Sequence, residues 1–167
     1  MSKEIKITIR VEVLESENEL SERERLAWTK AREATENAYA PYSNFLVGAA
    51  LLLENGTIHI GNNQENAAYP SGLCAERTAL FAKSALLPFE PIELIAVAAR
   101  KAFTYKYLLA SPCGSCRQVM TEYEERQGTP IKILLQGQGN EIYRLQSVKD
   151  LLPLVFSRAN LKNPTLE

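Results

Sequence analysis

The residues of this sequence best suited to chemistry are its three cysteines and one glutamate. Glu76 stands two residues after Cys74, and Cys113 and Cys116 follow within a Pro-Cys-Gly-Ser-Cys segment, so no cysteine is left for a disulfide. Structural zinc usually has four protein ligands, whereas three ligands leave a position at which water binds and becomes more acidic. Three thiolates with a carboxylate beside them therefore predict a catalytic zinc site that carries out hydrolysis.

Two predicted helices must position these ligands. Cys113 and Cys116 lie three residues apart at the start of a predicted helix over 113–127, so they share one helix face. Cys74 begins another predicted helix, over 74–87. Helix N-termini favour negative charge and lower thiol pKa values. Two converging helix ends would therefore stabilise the three thiolates.

Three charged neighbours have predicted roles around this site. Glu76 is close enough to face the open zinc position without being a ligand, so we expect it to move protons. Three thiolates overcompensate the charge of the ion and would make its water less acidic. Arg77 lies three residues after Cys74 and Arg117 four residues after Cys113, so both guanidiniums are expected to reach sulfur and withdraw charge.

Simpler interpretations of the same residues exist. A Cys-x-x-Cys pair alone also suits a redox pair or half of a structural zinc site. Cys74 would then be an inert buried thiol, and Glu76 a solvated carboxylate on a helix. His59, the single histidine, lies on a predicted strand and is interpreted as a surface or edge residue, not a ligand. The combination of all three cysteines with Glu76 favours catalytic zinc.

Composition limits the class of protein. The chain has 167 residues, 46% of them hydrophobic, and a formal net charge of −1, which predicts one domain and disfavours nucleic acid or an anionic membrane as partner. No apolar run approaches the roughly 20 residues of a membrane span, and the first residues do not resemble a signal peptide. Cysteines used as free thiolates suit a reducing compartment, so we expect a cytoplasmic protein.

The hydrophobic pattern predicts alternating strands and helices. Apolar and polar residues alternate from Ile5 to Val13, which indicates a strand with one exposed face. Helical spacing follows over 26–40 and ends at Pro41. The other predicted elements are a hairpin of strands 46–53 and 57–62 around Asn55-Gly56, strands 92–99, 131–135 and 141–145, and a helical turn over 148–152.

This order of elements predicts an α/β fold. We expect a three-layer α/β/α sandwich around a mixed sheet of about five strands, with an extra N-terminal strand. The chain is accordingly divided into a strand extension over 1–18 and a catalytic domain over 19–167.

Several blocks of the sequence resemble the small zinc-dependent cytidine deaminases. The resemblance runs from Leu26 to Phe156, and the three-cysteine version resembles the homotetrameric class of that family. It implies one zinc per subunit, active sites shared between subunits, and hydrolysis of cytidine and 2′-deoxycytidine to uridine and 2′-deoxyuridine plus ammonia, in pyrimidine salvage. The matching blocks are AYAPYSNF at 38–45, VGAAL at 47–51, ENAAYP at 65–70, CAER at 74–77 and PCGSCRQV at 112–119.

In the reaction that the resemblance implies, a zinc-activated water attacks C4 of cytosine. Glu76 moves a proton from that water to N3 and then to the departing amine. Asn63 and Glu65 match the residues that contact ribose, and the period of two in an extended segment independently places both side chains on one side. Phe45 matches an aromatic residue that lies against the pyrimidine. Without the resemblance, Asn63 and Glu65 suit a turn and Phe45 suits a core.

Three further positions gain a role from the resemblance. Tyr69 and Phe156 match residues that family members contribute to a neighbouring subunit's pocket, although simple packing explains them as well. The backbone of Ala75 is expected to contact the carbonyl group of the base, whereas helix propensity alone also accounts for an alanine there.

The sequence departs from the family pattern near the predicted pocket. Asn62 and Gln64 replace the cysteine and aliphatic residue usual beside the ribose pair, and the loop over 102–111 is longer and more aromatic. Two alternatives are therefore kept: a deaminase of a cytosine-nucleoside antibiotic, and a non-catalytic zinc-stabilised interaction module. An editor of polynucleotides is disfavoured, because it needs a positive groove with stacking aromatics.

Overall fold

The computed structural model describes residues 2–161, and its centre is a mixed six-stranded sheet. The strands follow the order β1-β6-β5-β4-β2-β3; β4 and β5 pair in parallel and all other neighbours pair antiparallel. The strands are β1 Glu12–Leu14, β2 Phe45–Leu53, β3 Ile58–Asn62, β4 Ile92–Lys101, β5 Lys132–Gln136 and β6 Ile142–Leu145. The predicted mixed sheet with an added N-terminal strand is confirmed.

Helices cover both faces of the sheet. They are α1 Glu22–Ala34, α2 Ala75–Leu86 and α3 Gly114–Gln127. Along β2, Ala49 and Leu51 pack in one core cluster with α2 and α3, whereas Ala50 and Leu52 pack in another with α1. Successive side chains of a strand point to opposite faces, so the two clusters lie on opposite sides of the sheet. The predicted α/β/α sandwich is confirmed.

The first helix starts and ends earlier than its apolar spacing predicts. Ser21 and Glu24 form a capping box in which each side chain accepts from the backbone of the other residue, and this fixes the start at Glu22. The helix ends at Ala34 and passes into a 3₁₀ turn over Thr35–Asn37, before Pro41. The capping box explains the early start, which the spacing of apolar residues does not reveal.

Two glycines let the helices approach the hairpin of β2 and β3. A Cβ on Gly48 would lie 2.1 Å from the carbonyl oxygen of Ala31 in α1. A Cβ on Gly61 would lie 2.5 Å from the backbone nitrogen of Ala79 in α2. Glu76 lies in α2 and Cys74 directly precedes it. The absence of a side chain at Gly61 therefore determines how closely Glu76 and Cys74 lie to the sheet.

The N-terminal strand is shorter than predicted. Only Glu12–Leu14 pairs with β6, and Leu14 is buried in the α1 cluster. In this register Val11 would be opposite Leu145, where β6 ends, so earlier residues have no strand beside them. The predicted extension over 1–18 and the predicted catalytic domain over 19–167 reach beyond the described residues, because residue 1 and residues 162–167 lie outside them. The division at residue 18 stays a prediction.

Candidate active site

The three cysteines meet where two helices begin. Cys74 is the N-cap of α2 and Cys113 is the N-cap of α3, and neither side chain caps its own helix. Cys116 is buried in the first turn of α3. The Sγ atom of Cys113 is 3.9 Å from that of Cys74 and 3.5 Å from that of Cys116. The predicted convergence of three sulfurs at two helix N-termini is therefore present.

The sulfur geometry fits zinc. A tetrahedral ion with Zn–S bonds of about 2.3 Å requires sulfurs about 3.8 Å apart. The three Sγ atoms lie within 4.8 Å of one another, and the two separations from Cys113 Sγ, 3.9 and 3.5 Å, bracket the required value. Soft thiolate ligands suit zinc better than magnesium or calcium. Cys74, Cys113 and Cys116 would therefore hold one zinc ion per chain.

The environment of Cys74 favours its thiolate form. Its pKa is lowered to about 5, because the Cys116 thiol hydrogen-bonds to its sulfur and because Arg77 and Cys113 also stabilise the thiolate. The Nη2 atom of Arg77 lies 3.8 Å from Cys74 Sγ. The pKa of Cys116 is raised, because its hydrogen bond with Cys74 and its burial favour the protonated thiol. The contact expected of Arg77 is thus present, and its effect on the reaction stays a prediction.

Glu76 is buried beside this cluster. Its residue is 3% exposed, yet it lines the cleft described below. Burial raises the pKa of its carboxyl group, and the neighbouring Cys74 thiolate raises it further. A carboxyl group with a raised pKa holds and releases protons closer to neutral pH than an exposed glutamate does. This placement suits the predicted proton transfer.

Arg117 does not reach sulfur, so the contact predicted for it is wrong. Its Nε atom donates to Pro112 O at 2.7 Å, Nη1 to Leu151 O at 2.9 Å and Nη2 to Ser111 Oγ at 2.8 Å. The side chain extends back along the loop before α3, where two carbonyls and a hydroxyl satisfy it. Arg117 therefore holds the loop that carries Cys113.

An open cleft of about 1050 Å³ leads to the cysteines. This volume is at the upper end of ordinary small-molecule sites. Its wall combines the turn before β2, the segment after β3, the starts of α2 and α3, and the end of the loop over 102–111. Phe45, Asn63, Glu65 and Tyr69 line it together with Glu76. The structure therefore brings most of the predicted substrate residues to one cleft.

Asn63 connects the end of β3 to the start of β2. Its Oδ1 accepts from Val47 N at 2.8 Å, and its Nδ2 donates to Phe45 O at 2.8 Å. An amide has two donors and two acceptor positions. One N–H and one oxygen lone pair therefore remain for a ligand, and the side chain is held rigidly.

Glu65 is held by the turn before β2. Its Oε2 accepts from Tyr42 N at 2.9 Å and from Ser43 N at 3.3 Å, and its Oε1 accepts from Ser43 Oγ at 2.5 Å. The Ser43 hydroxyl hydrogen bond, and after it the two backbone N–H groups, lower the pKa of this carboxyl group. Ser43, which is not among the predicted site residues, therefore belongs to the site. A serine in a polar turn just before Phe45 was the available signal.

The remaining predicted residues differ in position. Ala75 is fully buried as the first residue of α2. Tyr69 is 90% exposed at the edge of the cleft, whereas Phe156 is 60% exposed and does not line the cleft. Gln118 Nε2 donates to Phe156 O at 2.7 Å, which ties the C-terminal segment to α3. Within this chain, Phe156 is therefore separate from the site.

A family model for the cytidine and deoxycytidylate deaminase zinc-binding region matches residues 21–128. This range includes the three cysteines, Glu76, Asn63 and Glu65. The chain belongs to the cytidine deaminase family. Phe156 and the N-terminal strand lie outside the matched range.

Relatives of known name agree with this assignment to the cytidine deaminase family. A cytidine deaminase from Sporosarcina psychrophila is 41% identical over 132 residues, which cover 79% of this chain and 90% of that protein. A cytidine deaminase from Halalkalibacterium halodurans is 39% identical over 134 residues, which cover 80% of this chain and 94% of that protein.

Solved structures of cytidine deaminases share the fold. The crystal structure from Burkholderia pseudomallei has a TM-score of 0.66 and 41% identity, and the match covers 78% of this chain and 97% of that one. The structure from Mycobacterium tuberculosis has a TM-score of 0.60 and 31% identity, with 79% and 95% covered. Among residues 2–161 of this family member, no helix has the length and apolar character that crossing a bilayer requires.

Proposed function

We propose that this chain catalyses the hydrolytic deamination of cytidine and 2′-deoxycytidine, releasing uridine or 2′-deoxyuridine and ammonia. The observation that carries the proposal is the convergence of three cysteine sulfurs at two helix N-termini, with buried Glu76 on the wall of the same cleft. A structural zinc site would not require a buried carboxylate facing a cleft. The catalytic role of Glu76 follows from this placement.

Glu76 performs the proton transfers. When bound by the cysteines, zinc supplies Lewis-acid chemistry and lowers the pKa of a water. Glu76 accepts a proton from the attacking water and delivers it to N3 of the pyrimidine. As the C4–N bond breaks, Glu76 takes the remaining proton from the new hydroxyl group on C4 and passes it to the departing amino group, so water oxygen replaces nitrogen and ammonia leaves. Burial shields the Glu76 carboxyl group itself from bulk water.

Phe45, Asn63, Glu65 and the backbone of Ala75 position the nucleoside in this proposal. Phe45 is half-buried on the cleft wall and offers its ring to the pyrimidine, while the first N–H of α2, at Ala75, faces the base carbonyl. The free N–H of Asn63 and the free acceptor position of Glu65 fit one sugar hydroxyl that accepts from the first and donates to the second.

The charges of the cleft favour a free nucleoside over a nucleotide. Arg77 is the one cationic side chain among the described residues that line the cleft, and it contacts Cys74 Sγ. Glu65 places a carboxylate at the sugar end, where it would repel a phosphate. Recognition of phosphate normally uses arginine, lysine or a helix N-terminus. Here both helix N-termini carry the cysteines.

A substrate panel tests the proposal. Purified zinc-loaded protein is incubated with cytidine, 2′-deoxycytidine, cytosine, 2′-deoxycytidine 5′-monophosphate and a short single-stranded oligonucleotide, while ammonia release is followed. Turnover of the two nucleosides, with little or none of the other three, is the expected result. Preferred turnover of the monophosphate, or no turnover of either nucleoside, would contradict the proposal.

The biological setting is part of the same proposal. We infer a homotetramer in which Tyr69 and Phe156 each enter a neighbouring subunit's cleft, because both aromatic side chains are exposed in the single chain. Uridine and 2′-deoxyuridine are reusable pyrimidines, so the reaction serves pyrimidine salvage. Zinc held by cysteine thiolates suits the reducing cytoplasm.

A further inference from the structure

The residues before β1 form an exposed segment without regular secondary structure, here called the N-terminal arm (residues 2–11). Among residues 2–161, the arm makes no hydrogen bond and no ion pair with the rest of the chain. Its apolar side chains are 42–85% exposed, namely Ile5, Ile7, Ile9 and Val11. Val13 of β1 continues this stripe and is 51% exposed. A stripe of β-branched residues is an unusual surface for a segment left in solvent.

The arm leads into an open edge of the sheet. β1 is the terminal strand in the sheet order and has β6 on one side. Within the described residues no strand pairs with its other side. Such an edge presents free backbone N–H and C=O groups that accept another strand. The arm and β1 together offer a strand of period-two pattern with one unpartnered edge.

We propose that the arm and β1 pair antiparallel with the same segment of a second copy of this chain, with Ile9 facing Ile9 at the two-fold axis. In this register Ile5 faces Val13 and Ile7 faces Val11, so all five apolar side chains of each copy meet apolar partners. A two-fold interface of this kind is self-complementary and closed.

The charged side chains fit the same register. Lys6 faces Glu12 on the face opposite the apolar stripe, Lys3 faces Glu15 on the same face as the stripe, and each pair occurs twice because of the two-fold axis. Opposite charges directly across antiparallel strands are favourable, whereas like charges are not. Glu12 accepts from Arg144 at two positions, which leaves acceptor positions on its carboxylate for Lys6 of the second copy.

The two registers centred nearer the N-terminus, on Thr8 and on Ile7, fit less well. Centring the pair on Thr8 places Lys6 opposite Arg10 and Glu4 opposite Glu12, which are like charges. Centring it on Ile7 pairs Glu4 with Arg10 favourably. However, only Ile5, Ile7 and Ile9 then face apolar partners, because Val11 is opposite Lys3. The register centred on Ile9 therefore pairs the whole apolar stripe and places no like charges opposite each other.

Cysteine cross-linking tests this register. A disulfide requires Cα atoms about 4.4–6.8 Å apart. In Ile9→Cys the two introduced thiols would face each other across the axis. In the matched variant Ile7→Cys they would be offset by four residues, or roughly 13 Å along the strands. Full-length protein of each variant is oxidised mildly and analysed by non-reducing electrophoresis, with wild-type protein showing the background from the native cysteines.

The expected result is a cross-linked dimer from Ile9→Cys in at least about tenfold higher yield than from Ile7→Cys. Equal yields, a higher yield from Ile7→Cys, or no dimer above the wild-type background would overturn the proposal.

Hydrogen exchange of the wild-type chain provides a second measurement that needs no variant. Amides of the arm are expected to exchange at least about tenfold more slowly than in an unstructured chain. If the amides of the arm exchange at the rate of an unstructured chain at every protein concentration, the proposal is also overturned.

Neither experiment depends on the proposed function. The arm lies outside the cleft, so removal of residues 2–11 is expected to leave cytidine turnover unchanged. A chain without deaminase activity that still forms the Ile9→Cys dimer would refute the function and support the arm interface. A chain with deaminase activity that does not form the Ile9→Cys dimer would support the proposed function and refute the arm interface.

Discussion

Separate replacement of Arg117 and Arg77 distinguishes two roles for an arginine near the zinc site. Arg117 positions the loop that carries the ligand Cys113, whereas Arg77 withdraws negative charge from the sulfur of Cys74. Arg117 makes three hydrogen bonds to Pro112, Ser111 and Leu151, whereas Arg77 contacts the sulfur of Cys74. We therefore expect Arg117→Gln to weaken the fold and the zinc site. We expect Arg77→Gln to change the chemistry while leaving the fold nearly intact.

The size of the Arg117 effect follows from its contacts. Two of its hydrogen bonds are part-buried and end on carbonyls, and the third is exposed. Part-buried bonds from a charged donor are worth about 1.5 kcal/mol each at the low end, so Arg117→Gln should cost about 3 kcal/mol of unfolding free energy. For a chain of this size that is a fall in Tm of about 6–12 °C. Loss of a group that orients a ligand lowers metal affinity about 10–100-fold.

Arg77→Gln gives a different signature. Removing a positive charge about 4 Å from a ligand sulfur leaves the thiolates more electron-rich and the zinc water less acidic. The acidic limb of the pH profile of kcat/KM for cytidine should therefore move up by about one unit. Its Tm should change by less than about 3 °C, similar to Lys30→Gln, which removes an exposed ion pair with Glu33.

Three assays separate the two roles: thermal unfolding, competition for zinc with a chelator, and the pH profile of turnover. A shifted pH profile in Arg117→Gln, with unchanged Tm and zinc affinity, would refute the positioning role. Equal loss of stability in both variants would refute the distinction between them.

Further substitutions test the proton transfer, the helix packing and the shared site. Glu76→Gln should keep one zinc per chain but lower kcat about 10²–10⁴-fold, and near-normal turnover would contradict the role of Glu76. Gly61→Ala places a Cβ 2.5 Å from Ala79 N, so it should lower the free energy of unfolding by about 1–3 kcal/mol, as measured by thermal or denaturant unfolding. The control Gly72→Ala should cost clearly less, because the atom nearest to its Cβ is 3.2 Å away. Equal costs would show that α2 moves freely. The shared site is tested by refolding Phe156→Ala subunits together with Glu76→Gln subunits. The mixture should recover part of the activity that each variant lacks alone. The reason is that a mixed tetramer contains sites with Glu76 from one chain and Phe156 from the other. No recovery, with mixed assemblies demonstrated, would place Phe156 outside the neighbouring site.

Much of this fold is encoded in local patterns. The alternation of strands with helices, the Asn55-Gly56 turn and the convergence of cysteines at helix starts depend on nearby residues, so the sequence predicts them well. The long N-terminal strand was predicted from alternation alone. A strand also needs a partner, and β6 is only four residues long, which limits β1 to Glu12–Leu14.

The errors in the predicted site concern side-chain direction. Helical spacing allows Arg117 to reach Cys113, but carbonyls of the loop before α3 and of the C-terminal segment bind it instead. Asn63 accepts a hydrogen bond from Val47 in β2, 16 positions away, and Glu65 accepts one from Tyr42 in the turn before β2, 23 positions away. Such long-range polar contacts have no periodic signature in a sequence.

We infer that the three cysteine sulfurs hold a zinc ion that keeps one coordination position open beside Glu76. X-ray absorption spectroscopy of the zinc-loaded protein measures this coordination directly. The expected result is three sulfur ligands at about 2.3 Å and one oxygen at about 2.0 Å. Fewer than three sulfurs, or a fourth protein ligand in place of the oxygen, would contradict the account.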